Sequence, residues 1–180
     1  MRKGSLFTIM SGLIFGIIVF PGLVFSSGPK DGELTFPKGY KSFPVFLKEI
    51  QKKSAVRDLY VNKKGEATLK GEPFPDGTQL VMAIFKVKVD ADGNPVKGSD
   101  GKLVKDKLSK VYLMEKGRGW GAKAPANLKN GDWIFSAFSG DGKRIEVDYA
   151  KCRNCHLPLG ASKDFVHRYD EYFTTKMGAH

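Results

Sequence analysis

A chain of 180 residues suits one domain with its own buried core, and its two cysteines and three histidines leave few of the ligand sets that a zinc site needs. Its 30 Lys and Arg outnumber 19 Asp and Glu, for a formal charge of +11, which favours acidic protein partners or anionic surfaces. The cations are spread along the chain, so a soluble basic surface accounts for them as well as a docking patch does.

Arg2 and Lys3 precede an uncharged apolar run over residues 6–25, and small residues follow at Ser26, Ser27 and Gly28. This pattern predicts a signal peptide over residues 1–26 and a domain outside the cytoplasm. The run is also long enough to cross a bilayer, so an uncleaved N-terminal membrane anchor is the alternative. Removing Arg2 and Lys3 from the +11 total leaves +9, and outside the cytoplasm nucleic acid is not an expected partner. Residues 27–33 read as a polar linker, and the domain is expected over residues 34–180.

Ser42 and Pro44 look like a helix start, with Val45, Phe46, Leu47 and Ile50 forming an apolar face that ends by Lys53. A strand is expected over residues 57–62 and a short helix over 63–70, stopped by Gly71. Pro73, Pro75 and Asp76-Gly77 turn the chain into the longest strand signal, residues 78–89. The first half of that strand is apolar at consecutive positions and should be buried on both faces. Asp90-Ala91-Asp92-Gly93 and Ser99-Asp100-Gly101 are turn sequences, and a returning strand over 107–114 closes a long charged hairpin. Asp90, Asp92 and Asn94 have the spacing of a calcium loop, but Pro95 stands where such a loop needs glycine and Gly101 where it needs glutamate. A glycine-rich basic loop around Trp120 occupies residues 117–131, and a further strand occupies 133–138. An aromatic helix over 164–173, carrying Phe165, Tyr169, Tyr172 and Phe173, closes the chain.

The chemistry sits between those last two elements, in Cys152-Arg153-Asn154-Cys155-His156. Two thiols three positions apart can each add to one vinyl group of a haem, and the adjacent histidine can then ligate the iron. Cys152 and Cys155 are therefore the expected thioether anchors of one haem c per chain, with His156 as proximal iron ligand. Zinc would need four ligands and has only His167 and His180 to add, while a disulfide across so tight a loop would leave His156 without a role. The sixth iron position decides the function, because a protein ligand suits electron transfer and an open position suits small-molecule binding.

The order Phe74-Pro75-Asp76-Gly77-Thr78, then Gly131-Asp132-Trp133, then the late haem motif followed by Asp164-Phe165-Val166, resembles the cytochrome P-460 family and its relatives the cytochromes c′-beta. The resemblance spans residues 34–173. It implies a mainly β fold, an antiparallel sheet with a few short helices, assembled as a homodimer around one covalent haem per chain. Resemblance to c-type cytochromes would make the exported domain periplasmic. Enzymes of that family that oxidise hydroxylamine carry a lysine cross-linked to the porphyrin a few residues after the Asp-Gly-Thr turn, and here that position is Met82. Lys86 and Lys88 share its strand parity but lie further along. Arg57 matches a family arginine near the distal pocket, and the family's distal acid falls near Tyr112, with Glu115 close by.

In one reading Met82 is the axial sulfur of a six-coordinate His/Met electron carrier, with Met114 and then Met177 as lesser candidates for that role. In another the iron is five-coordinate under an aromatic cap to which Phe74 and Phe85 contribute, and it binds nitric oxide. Turnover of hydroxylamine or peroxide is a third reading, lacking its lysine and its carboxylate. His167 as a second histidine ligand is a fourth.

Overall fold

The computed structural model describes residues 28–178. The expected leader lies outside the described residues. Five strands form one antiparallel meander in the order β1 (Val45–Lys52), β2 (Ala55–Val61), β3 (Gln79–Val87), β4 (Lys105–Lys116), β5 (Trp133–Ser139). Among the described residues three short α-helices accompany it: α1 (Lys63–Glu66) between β2 and β3, then α2 (Tyr149–His156) and α3 (Tyr169–Met177) after the sheet. The mainly β expectation holds, and every strand read from the sequence is present.

Residues 45–52, expected as a helix, are instead the edge strand β1. Its pairing with β2 slips twice, between Val45 and Leu47 and between Leu47 and Ile50, and Glu49 takes a positive φ of 54°. Those irregularities turn the consecutive residues Phe46 and Leu47 both inward, at 4% and 8% exposure. A bulge thus hides the period of two that marks a strand and leaves spacings that imitate a helix. The last helix begins at Tyr169 rather than at 164, because Asp164, Phe165 and Arg168 all have positive φ.

The sheet buries both faces. On one, Tyr60, Val81, Ala83, Val111, Leu113 and Phe138 pack beneath the N-terminal segment that carries Leu34 and Tyr40. On the other, Phe46, Val61, Leu80 and Phe135 meet Trp133 and the aromatic residues of α3, with Phe46 stacked on Tyr172 at 3.9 Å between ring centroids. Large apolar side chains buried like these each contribute roughly 1.5–3 kcal/mol by leaving water. As its composition suggested, the first half of β3 serves both cores.

Residues 28–33 are not a free linker. Gly32 N–H donates to the Phe135 carbonyl at 2.7 Å, and the Asp31 carboxylate accepts from Phe135 N–H at 3.0 Å, so this segment covers the open edge of β5. In the glycine-rich loop Gly121 lies against Gly131, whose carbonyl oxygen is 1.7 Å from where a Cβ would sit, so any side chain there displaces backbone. The long hairpin extends β3 and β4 through two tight turns. Of its apolar residues, Val111 and Leu113 are spent in the core and only Val89 is widely exposed, at 52%.

Candidate functional site

Helix α2 is short, and its N-terminus is capped by Asp148, whose carboxylate accepts from Ala150 N–H at 3.1 Å. Positions 152, 155 and 156 fall at helical spacings of three and four, so both thiols and the imidazole share one face. Arg153 points the opposite way and is 4% exposed. Its guanidinium holds the Asp31 carboxylate with Nε at 2.6 Å and NH2 at 3.0 Å, and its backbone carbonyl accepts from Asn130 Nδ2 at 3.1 Å. A buried bidentate pair of this kind fixes orientation. The helix is therefore clamped from behind by the N-terminal segment and the loop before β5.

His156 Nδ1 lies 2.7 Å from the carbonyl oxygen of Phe165. A carbonyl only accepts, so Nδ1 carries the proton and the Nε2 lone pair is left for a metal, the arrangement that orients ligating histidines. Burial pushes the imidazole down to about 4, which keeps it in the neutral, ligating form. The carbonyl is held in place by its neighbour. Asp164 is 6% exposed; its carboxylate accepts from Lys116 Nζ at 2.8 Å and from Phe74 N–H at 2.8 Å, and its backbone carbonyl accepts from Trp133 Nε1 at 2.9 Å. The separate sequence motifs around Phe74, Trp133 and Asp164 thus meet at one residue, directly before the carbonyl that orients His156.

Between α2 and the sheet lies a cavity of about 510 Å³, within the range of roughly 300–1,000 Å³ common for bound cofactors. Cys152, Cys155 and His156 form one wall. The sheet supplies the other through Leu59, Met82 and Tyr112, which are successive partners across β2, β3 and β4, together with Arg57, Leu80 and Met114. Arg57 Nε is buried in this wall without a hydrogen-bond partner.

The expected site residues divide cleanly. Cys152, Cys155, His156, Arg57 and Met82 are brought together around the cavity, with Tyr112 and Met114 beside them. Phe74 and Phe85 are not. Phe74, 1% exposed, packs edge-on against Trp133 and Tyr169 in the core. Phe85 lies three residues from Met82 on the same strand, hence on the opposite face, where it joins the second core and takes Lys105 Nζ over its ring at 5.3 Å. Parity places Glu115 on that far face too, where it accepts from Gln79 Nε2. Met177 is exposed at the end of α3, and Lys86 and Lys88 are exposed beyond the cavity.

His167 sits on the same side as His156, with ring centroids 4.6 Å apart and Nε2 3.3 Å from Cys155 Sγ. It stands on the α2 side of the cavity and not on the sheet wall that carries Met82. Burial lowers its basicity, and the charges of Lys52, Arg168 and Arg57 add to the effect. Both cysteines are free thiols, and among the described residues no group of three or more His, Cys, Asp or Glu is placed to hold a metal ion by itself. Sequence reasoning missed Arg153, Asp31 and Asp164; the first carried a signal, being the one charged residue between the two thiols.

An apolar cavity faced by two thiols and a neutral imidazole with its Nε2 free fits a haem, whose iron would take that nitrogen and whose faces need apolar cover. No curated protein matches the chain. The profile of the family described as Cytochrome P460 matches residues 37–168, which take in all five strands, the cavity and the Asp164 junction; the chain belongs to the cytochrome P460 family and is a haem-binding cytochrome.

Proposed function

We propose that this is an exported monohaem c-type cytochrome in which Cys152 and Cys155 form thioethers to the haem vinyls, His156 is the proximal ligand and Met82 the sixth, and that it carries electrons. The observation that carries the reading is the position of Met82, in the cavity wall that faces α2, where the sheet offers no histidine or carboxylate and its one lysine, Lys52, stands at the far end of β1. A bound haem supplies an iron that exchanges one electron. The protein residues hold it in place: α2 presents the thiols, the Phe165 carbonyl keeps the proton on His156 Nδ1, and Leu59, Leu80 and Phe135 keep water from the cavity. A soft thioether ligand favours the reduced iron and so raises the potential.

The periplasm is the proposed compartment, from the leader sequence and because covalent haem attachment proceeds there. The partner is an acidic redox protein, in keeping with the basic surface. A homodimer is proposed on the family resemblance, and sedimentation at micromolar concentration tests it; a monomer throughout removes it.

The test of the whole reading is a mass measurement and a spectrum. Protein matured by a c-type assembly system should gain the mass of one haem, lose that gain in Cys152→Ala with Cys155→Ala, and show a sulfur-to-iron charge-transfer band when oxidised. Met82→Ala should abolish the band. A high-spin spectrum that Met82→Ala leaves unaltered would replace this reading with a five-coordinate nitric oxide binder, for which the apolar wall of Leu59, Leu80 and Phe46 is the supporting observation.

A further inference from the structure

We propose that Arg57 and Lys52 hold the two propionate groups of the haem, so that the cofactor is gripped by covalent bonds from α2 at one edge and by ion pairs from the β1–β2 wall at the other. The inference rests on the haem reading above and adds which residues neutralise its acid groups. The cavity lining contains four permanently cationic side chains, Lys52, Arg57, Lys151 and Arg168, and no carboxylate. Two of them are already matched. Lys151 lies 3.8 Å from Asp148 and Arg168 2.5 Å from Glu171. Among the described residues neither Lys52 nor Arg57 is within ion-pair distance of an acid. The surplus is two positive charges in a cavity built for a group that carries two carboxylates.

Arg57 adds an observation of its own. Its Nε is buried and makes no hydrogen bond, a state that costs stability unless something enters to accept from it. The neighbouring Asp58 is no help, because strand parity sends it to the other face, where Lys105 Nζ holds it at 2.8 Å. A carboxylate is the natural acceptor for a guanidinium fork, which can give it two parallel N–H bonds. Position agrees as well. Ile50 is the register partner of Arg57, and Lys52 follows Ile50 by two residues, so both cations rise from the same face near the β1–β2 turn. Helix α2 packs on β5, three strands away from β2, a span of about 14 Å at the ordinary strand spacing. Vinyl and propionate groups occupy opposite edges of a haem, so a macrocycle tied to α2 through its vinyl carbons turns its acids toward β1 and β2.

The test uses mature holoprotein with Arg57→Gln and Lys52→Gln made singly, read by mass, by the propionate bending band in resonance Raman spectra and by midpoint potential. Each variant should keep one covalent haem, should move the propionate band toward that of a solvated carboxylate, and should lower the potential, since removing a nearby cation stabilises the oxidised iron. Arg57→Lys and Lys52→Arg should retain most of the wild-type band, which separates ion pairing from collapse of the fold. Lys151→Gln, whose charge is already matched, should leave the band in place. Loaded Arg57→Gln and Lys52→Gln with an unmoved band overturn the proposal, as does a fall in potential without a band shift, which would make the pair a docking site for an acidic protein. Wild-type protein that gains no haem mass overturns the haem reading itself, a result distinct from either.

Discussion

The two faces of the sheet are written on the same strands one residue out of step, and they are packed to different standards. On the closed face Val81, Ala83, Val111 and Leu113 are exposed by 1% or less. On the cavity face their immediate neighbours Met82, Ile84 and Tyr112 are only partly buried, and Met82 and Tyr112 border open volume. Along β3 and β4, therefore, one side of the backbone is closely packed and the other is left open. A strand suits this division because alternate side chains share a ladder without sharing an environment.

The contrast can be broken most severely at the junction on the cavity side that is packed as tightly as the closed face. Asp164→Ala leaves Lys116 and the Phe74 amide without their buried acceptor, and should cost about 3–5 kcal/mol in urea unfolding; it should also perturb the haem spectrum, because the Phe165 carbonyl loses its support. Leu113→Ala, on the closed face, should cost about 3 kcal/mol and leave the spectrum alone. Met82→Ala inverts that pattern. Its side chain already borders open volume, so the loss should be nearer 1–2 kcal/mol, while the spectrum and the rate of carbon monoxide binding change. Equal stability losses for Leu113→Ala and Met82→Ala would erase the distinction between the faces. Val89→Ser, at the exposed end of the hairpin, should alter unfolding by no more than about 0.5 kcal/mol, so a change in sedimentation with that variant would mark the hairpin as a subunit contact.

The haem motif and the strands were legible because each rests on a local pattern: spacing for the thiols and histidine, and alternation or an unbroken apolar run between turns for β2 to β5. The edge strand was not. Its bulge brings Phe46 and Leu47 inward together, and no single-sequence period survives such a slip. Met82 and Arg57 could be placed at the site because even and odd positions separate in a strand once a family position anchors the register. The same rule, applied to Phe85, places it on the far face. Asp164 and Arg153 were hidden for a different reason, since their roles come from partners 48 and 122 residues away, and burial of a charge is decided by tertiary contacts.

The clamp between Asp31 and Arg153 also bears on timing. Chains emerge from their N-terminus, so the carboxylate is available long before the guanidinium that completes it. Closing a loop of 122 residues is among the costlier entropic steps in a domain of this size. Until that closure the edge of β5 lacks its cover, and the helix that carries the thiols is held from behind only by the loop before β5 and the start of that strand. Reactivity of the two cysteines toward a large flat reagent should therefore be greatest in the nascent chain and fall once the N-terminal segment docks, so the thioether attachment proposed above would precede final folding.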